Sequence, residues 1–267
     1  MGHLLSWLNR QGVVATYFLE PSAGEGAFLD ALIHAGVDAV VDGVDLDPKH
    51  SRVRQGDFFD EVVPCGAIVF GNPPFGKNAM LAVRFFNHAA QTASVIAFIV
   101  PRTFEKSSVQ NRLDSRFELA SEVAIDPNSF HFEGERVSVP CVFQVWARLP
   151  EGQRRPVISA PTTHPDFHFL KSPDGAGFAF QRVGVAAGRT KALDAKHLAP
   201  PSHYFLAPRP GLSADVLRAR LDSIDWSPIK QRTAGNPSIS KGELVAAYST
   251  VLAAEAASAP PSDSSPE

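Results

Sequence analysis

The sequence predicts an α/β fold whose sheet is doubly wound, mostly parallel and finished by an antiparallel last strand. Three observations predict it. Short apolar runs alternate with helical periods from residue 15 onward. One run, "SVIAFIV", is apolar throughout, as a strand covered on both faces must be. The last two runs, "LASEVAI" and "VPCVFQVWAR", follow one another with no helix between them, which turns the final strand antiparallel.

The elements follow in order. "ATYFLE" is a strand, "GAFLDALIHAG" a helix closed by Gly36, and "AVVDGVD" the second strand. A short extended piece at "RVRQGD" and the strand "GAIVFG" come next. Asn78 is placed to cap the helix "AMLAVRFFNHAA", whose Leu81, Phe85 and Ala89 share one face. After "SVIAFIV", "SSVQNRL" makes a short helix before the last two strands. Beyond Arg148 the texture changes to "LPEGQRRPVISAPTTHPD", a linker or irregular excursion. Strands at "FAFQRVGVA" and "HYFLA", a helix from Ser213 to about Leu221 and a last helix opening at "SKGE" complete a segment too small to be expected to fold alone. In that last helix Ser240 and Glu243 form a capping box. The Pro- and Ser-rich end, residues 254–267, is expected to be disordered.

With 267 residues, 44% of them hydrophobic, the chain can bury one ordinary core and a smaller one. Its start is too mixed in polarity for a signal peptide, and no apolar run approaches the ~20 residues of a membrane span. A soluble, cytoplasmic protein is the expectation. Cys65 and Cys141 lie in apolar stretches without ligand-like spacing and are expected to be buried thiols, with neither a metal nor a disulfide suggested. The net charge of -3 divides unevenly: residues 1–150 carry 12 Lys and Arg against 17 Asp and Glu, 151–253 carry 13 against 8, and the remainder 0 against 3. A basic second segment can attract a polyanion.

The ends of successive strands hold the chemistry. "FLEPSAGEGAF" leads from a strand through a glycine turn into a helix, where backbone can approach a ligand at the open carboxyl edge of a sheet. It lacks the third glycine of a dinucleotide fingerprint and any Walker lysine, which disfavours nicotinamide enzymes and NTPases. "GVDLDP" places Asp45 at the next strand end, where a carboxylate can accept both hydroxyls of a ribose. "QGDFFD" adds Asp57, an acceptor for an adenine amino group, and Phe58, a ring to stack on its face. In this order they describe an adenosine pocket.

"EPSAGEG", "GVDLDP", "GDFF" and "NPPF" together resemble the consecutive motifs of the S-adenosylmethionine-dependent amino-methyltransferases, in the order that N6-adenine members often use, over roughly residues 15 to 148. The resemblance implies a Rossmann-like, seven-stranded methyltransferase sheet with an antiparallel last strand, and S-adenosyl-L-methionine as cofactor. It implies that Glu20, beside Pro21, lies near the cofactor's amino group, that Gly24 and Gly26 face its methionine part, that Asp45 holds the ribose, and that Asp57 and Phe58 hold the adenine. Residues 1–150 would be the catalytic domain and 151–253 a small basic substrate-recognition segment.

"GNPPFGK" then acquires a chemical purpose. An exocyclic amine on adenine is a poor nucleophile, because its lone pair is delocalised into the ring. The Asn72 side-chain oxygen and the Pro73 carbonyl oxygen would each accept one of its N–H groups and draw the nitrogen towards tetrahedral geometry. Pro73 and Pro74 fix φ near -65° and lack N–H groups, keeping the turn stiff, and Phe75 would stack on a base turned out of its helix. No covalent enzyme intermediate and no general base is needed before attack. In adenine methyltransferases the loop between the last two strands often supplies a second aromatic wall, which points to Phe130, His131 or Phe132, Phe132 foremost. Arg102, Lys106 and Arg112 follow the central strand and could meet phosphates. The expected partner is nucleic acid, DNA ahead of RNA, with a partner subunit conceivable because the second segment is small. Alternatives are guanine N2 in ribosomal RNA, a glutamine amide in protein, and a non-catalytic binding subunit of the same fold.

Overall fold

The computed structural model is described for residues 1–126, 130–132, 135–137, 140–233 and 236–258, and of 130–132 and 135–137 for the backbone alone. The chain divides into two compact units, Met1–Ile158 and Ser159–Glu267.

In the first unit the elements run α1 (Gly2–Gln11), β1 (Tyr17–Glu20), α2 (Ala27–His34), β2 (Val40–Asp45), β3 (Val53–Gln55), β4 (Ile68–Gly71), α3 (Met80–Ala89), β5 (Val95–Pro101), α4 (Ser107–Gln110), β6 (Phe117–Ala124), β7 (Phe130–Phe132), β8 (Glu135–Val137) and β9 (Cys141–Arg148). Seven strands form one sheet in the order β3-β2-β1-β4-β5-β9-β6. β1 to β5 pair in parallel, while β9 is antiparallel to both β5 and β6. This is the doubly wound, mostly parallel sheet with an antiparallel last strand that the sequence predicts. β7 and β8 form a separate hairpin that the sequence patterns did not announce.

Alternation along the strands divides the core into two layers. Phe18, Ile68, Phe70, Val95, Ala97 and Val145 pack with Leu4, Trp7 and Leu8 of α1 and Leu29 and Leu32 of α2. Leu19, Val69, Ile96, Phe98 and Trp146 pack on the other side with Phe85, Phe86 and Ala89 of α3. Each fully buried large side chain contributes roughly 1.5–3 kcal/mol relative to exposure. Helix α1, not foreseen from the sequence, therefore closes one layer.

Three local expectations are corrected. Asn78 does not cap α3: it sits at φ 53° inside a 3-10 turn, and left-handed Ala79 precedes the helix without any side-chain cap. Cys65 is exposed, on a turn ahead of Gly66 at φ +77°, and only Cys141 is buried, where burial pushes its thiol up to about 12. The first unit also extends past residue 150. Arg155 donates to the Phe117 and Gln110 carbonyls, and Asn111 pairs with the Ile158 backbone through both its amide atoms, tying this polar stretch to the sheet domain.

The second unit has its own four-stranded antiparallel sheet, β10 (Phe167–Leu170), β11 (Phe178–Gln181), β12 (Thr190–Lys191) and β13 (His203–Pro208), in the order β10-β13-β11-β12, with helices α5 (Ala214–Asp222), α6 (Ser227–Lys230) and α7 (Lys241–Ser258). Phe167, Phe178, Phe180 and Leu206 meet Leu217, Leu221, Trp226, Leu244 and Tyr248 in a separate core, which a mere appendage would lack. Helix α7 continues through Ser258, past residue 254 where disorder was expected, and residues 259–267 lie outside the described residues. Its start is the predicted capping box. Glu243 N–H donates to Ser240 Oγ (3.2 Å), and Ser240 N–H donates to Glu243 Oε2 (2.8 Å). Ser240→Ala is expected to destabilise the second unit by about 1 kcal/mol, read as a lower urea midpoint.

Candidate active site

The carboxyl ends of β1, β2 and β4 converge on one sheet edge. Gly24 N–H donates to Asp45 Oδ2 (2.8 Å) and Asp47 N–H to Asp45 Oδ1 (2.9 Å), so two backbone bonds fix this carboxylate at the end of β2. Each oxygen keeps a lone pair for a further donor. Asp57 caps the 3-10 turn Phe58–Asp60, its Oδ1 accepting from Phe59 N–H (2.9 Å), and its Oδ2 has no partner among the described residues.

Asp45 and Asp57 share a cavity of about 420 Å3 with Pro21, Phe58, Asn72 and Pro74 among its walls. The cavity's remaining apolar surface comes from Val44, Leu46, Phe59, Leu81 and Phe85. Leu81 and Phe85 belong to the one helical face that the sequence pattern picks out. Phe58 is 3% exposed and lies nearly parallel to Phe85 (5.2 Å between centroids, 26°), and its ring forms part of the cavity wall. Phe59 is more open, with the Arg84 guanidinium 4.4 Å from its centroid.

The "NPPF" turn follows β4. Asn72 is exposed, Pro73 buried, Pro74 exposed and Phe75 half-buried against the core. The Phe75 carbonyl accepts from Leu81 N–H (3.1 Å) and Ala82 N–H (3.3 Å), anchoring the turn to the start of α3. The Ser22 hydroxyl, on the loop after β1, donates to the Asn72 carbonyl (3.3 Å). The Asn72 side-chain amide and the Pro73 carbonyl oxygen have no hydrogen-bond partner among the described residues; Asn72 lines a cavity, whereas Pro73 is buried.

Asn72 also lines a second cavity of about 460 Å3, together with Met1, His3, Phe28, Gly71, Ile99, Val123, Ile125 and Phe143. One asparagine thus stands between an acid-and-aromatic cavity and an apolar one. Sequence reasoning missed the second. Its floor is a cross-strand row, Ile99 opposite Phe143 and Phe143 opposite Val123, drawn from three strands that no local pattern links.

Glu20 enters neither wall. It is 2% exposed, and its Oε2 is buried without a hydrogen-bond partner. It lies beneath Gly71, where a Cβ would come within 3.1 Å of its Cγ, and the φ of +136° there also favours glycine. Burial pushes the Glu20 carboxyl up to about 8, opposed by a backbone hydrogen bond at Leu29 and assisted by the Asp45 charge. An acid whose pKa rises on folding contributes fully only below its unfolded pKa, about 4.3, and loses that contribution as pH rises towards 8. Glu20→Gln is therefore expected to match the parent's stability near pH 4 and to exceed it by a few kcal/mol at pH 8 and above, measured by urea unfolding across that range.

Other predicted residues have different neighbours from those expected. A Cβ on Gly24 would point at Asp45 Oδ2 (4.0 Å), whereas one on Gly26 (φ +72°) would strike the His50 ring at 2.7 Å. Arg102 is half-buried and paired with a neighbouring carboxylate. Its Nε donates to Glu105 Oε1 (2.8 Å) and a terminal nitrogen to Oε2 (3.2 Å), a two-pronged pair three residues apart. Lys106 is half-buried beside it, and Arg112 is exposed. Phe130, His131 and Phe132 lie in β7, and their side chains lie outside the described residues.

No family model and no curated protein matches this sequence. The fold is similar to that of several solved structures. A protein of Pyrococcus horikoshii proposed to be an RNA methyltransferase is 20% identical over 55% of this chain and 82% of its own, with a TM-score of 0.41. TrmN from Thermus thermophilus is 20% identical over 54% of this chain and 48% of its own, with a TM-score of 0.37. The 23S rRNA methyltransferase ErmE is 16% identical over 56% and 66%, with a TM-score of 0.35.

Proposed function

We propose that this chain is an S-adenosylmethionine-dependent methyltransferase acting on the N6 amino group of adenine in nucleic acid, DNA being the first polymer to test. The observation that carries this is the position of Asn72 on the boundary of two cavities, one lined by carboxylates and aromatic rings, the other by apolar side chains.

The residues present fit the cofactor. Asp45, held by two backbone N–H groups, would take the ribose hydroxyls, and the unpartnered Asp57 Oδ2 would take the adenine amino group. Glu20 lines neither cavity, but its orphaned Oε2 lies beneath Gly71 at the same sheet edge, and an ammonium reaching it would favour the ionised carboxylate. When bound, S-adenosylmethionine supplies an electrophilic methyl group on a sulfonium.

The chain's own part is to hold the amine. Asn72 Oδ1 and the Pro73 carbonyl accept its two N–H groups, which weakens conjugation with the ring and favours the charge developing on nitrogen. Two prolines and the anchored Phe75 carbonyl keep these acceptors from following the amine as it moves. Excluding water from the apolar cavity strengthens both bonds. The excess of 13 basic over 8 acidic residues in 151–253 supplies attraction for a polyanion.

Incubation with methyl-labelled cofactor and DNA, RNA or total protein tests the proposal. Label is expected in adenine of the nucleic acid. Label in protein would favour a glutamine amide, label in guanine an N2 transfer, and cofactor binding without transfer a binding subunit.

A further inference from the structure

The apolar cavity has two polar side chains on its wall, Asn72 and His3. His3 lies in the first turn of α1, half-buried, and its Nε2 is 2.9 Å from Ser121 Oγ on β6. Its ring also meets Phe143 edge-on at 5.9 Å, in the middle of the row Ile99, Phe143, Val123. Two contacts from one side chain therefore fix the imidazole over the apolar floor. They leave Nδ1 without a partner among the described residues.

The chemistry of the floor and of the free nitrogen differ in what they can select. Ile99, Phe143, Val123 and Ile125 present a surface on which any flat heteroaromatic ring can lie, and such contacts discriminate weakly between bases. A fixed ring nitrogen discriminates through one hydrogen bond. The contact with Ser121 fits either tautomer; in the one where the hydroxyl donates to Nε2, the ring proton of the imidazole resides on Nδ1, which then donates. An adenine whose amine is held by Asn72 has acceptor nitrogens on both sides of that amine, N1 and N7. Guanine presents an N–H on one side of its 2-amino group, and a donor at His3 would oppose it there.

We infer that the Ser121 hydroxyl donates to Nε2 and that His3 is a specificity-determining residue for the acceptor: its Nδ1–H donates to one of the two ring nitrogens flanking the amine that Asn72 holds. This rests on the proposed base-amine transfer. It adds a contact from α1, an element that none of the sequence motifs includes.

The test uses the full chain, S-adenosylmethionine and three otherwise identical oligonucleotides containing adenine, 1-deazaadenine or 7-deazaadenine at the methylated position. The parent is expected to disfavour one of the two analogues by about fivefold in kcat/KM, the effect of losing one neutral hydrogen bond. His3→Phe keeps a ring beside Phe143 but carries no nitrogen. It is expected to lower kcat/KM for adenine by a similar factor, to abolish the discrimination between adenine and the analogue, and to leave the equilibrium affinity for S-adenosylmethionine within twofold. His3→Ala gives the same comparison should the phenylalanine variant fold poorly. Equal use of all three bases by the parent would overturn the inference, as would discrimination retained in both variants or a loss confined to cofactor affinity. Failure of the parent to methylate any adenine would instead overturn the proposed function on which it rests.

Discussion

Asn72→Ala is expected to lower the rate of methyl transfer by about 10²–10³-fold, the loss associated with removing one preorganised partner of a developing charge. Asn72 is exposed at the boundary of both cavities, and its amide has no partner among the described residues, so its truncation leaves no buried group unsatisfied. Folding should accordingly be unchanged within about 0.5 kcal/mol. The affinity for S-adenosylmethionine should shift less than threefold. Its main contacts are assigned to Asp45 and Asp57, and the backbone at Asn72, held by Ser22, remains. A rate loss without a binding loss is the signature of a group that acts on the transition state. Single-turnover kinetics with saturating cofactor, alongside calorimetric titration, separates the two.

Asp45→Ala is expected to show the opposite pattern. Removing a carboxylate that would hold two ribose hydroxyls forfeits two charge-assisted hydrogen bonds of roughly 1.5–3 kcal/mol each, which weakens cofactor binding by about 10²–10⁴-fold. The same truncation frees Gly24 N–H and Asp47 N–H, so the loop after β1 loses its side-chain tie to β2 and keeps the backbone bond from Ala23 N–H to the Val44 carbonyl. Asp45→Asn preserves an acceptor but no charge, and should recover part of the loss. A kcat at saturating cofactor that stays near the parent's would fit this division of labour between the residues. Unchanged affinity in Asp45→Ala would place the adenosine elsewhere.

How far these assignments were legible in the sequence depended on whether their cause was local. Strand ends could be read because alternation and glycine turns are local, and they brought Asp45, Asp57 and Asn72 to one edge once the strand order was parallel. The stiffness of "NPPF" was equally local, a property of proline. Helix α1 had a local signal too, in Leu4, Trp7 and Leu8 at helical spacing. The pairing of Arg102 with Glu105 was also available, since a tight turn brings residues three apart together.

Other features had no local signal. The His3 to Ser121 contact joins residues 118 apart, and the row Ile99, Phe143, Val123 exists only because β9 inserts between β5 and β6. Phe58 was expected to offer a face for stacking, and its position against Phe85 depends on how α3 packs beneath the turn. The burial of Glu20 is of the same kind: the carboxylate at the end of a strand is ordinarily solvated, and only its place under Gly71 removes it from water.

The central claim is that Asn72 holds a nucleobase amine between the two cavities. Mass spectrometry of nucleosides digested separately from the DNA and RNA of cells expressing the parent chain or Asn72→Ala tests it most directly. N6-methyladenine should accumulate with the parent and fall to background with the variant. Equal amounts of that nucleoside from both, or a parent that leaves adenine unmodified in both polymers, would contradict it.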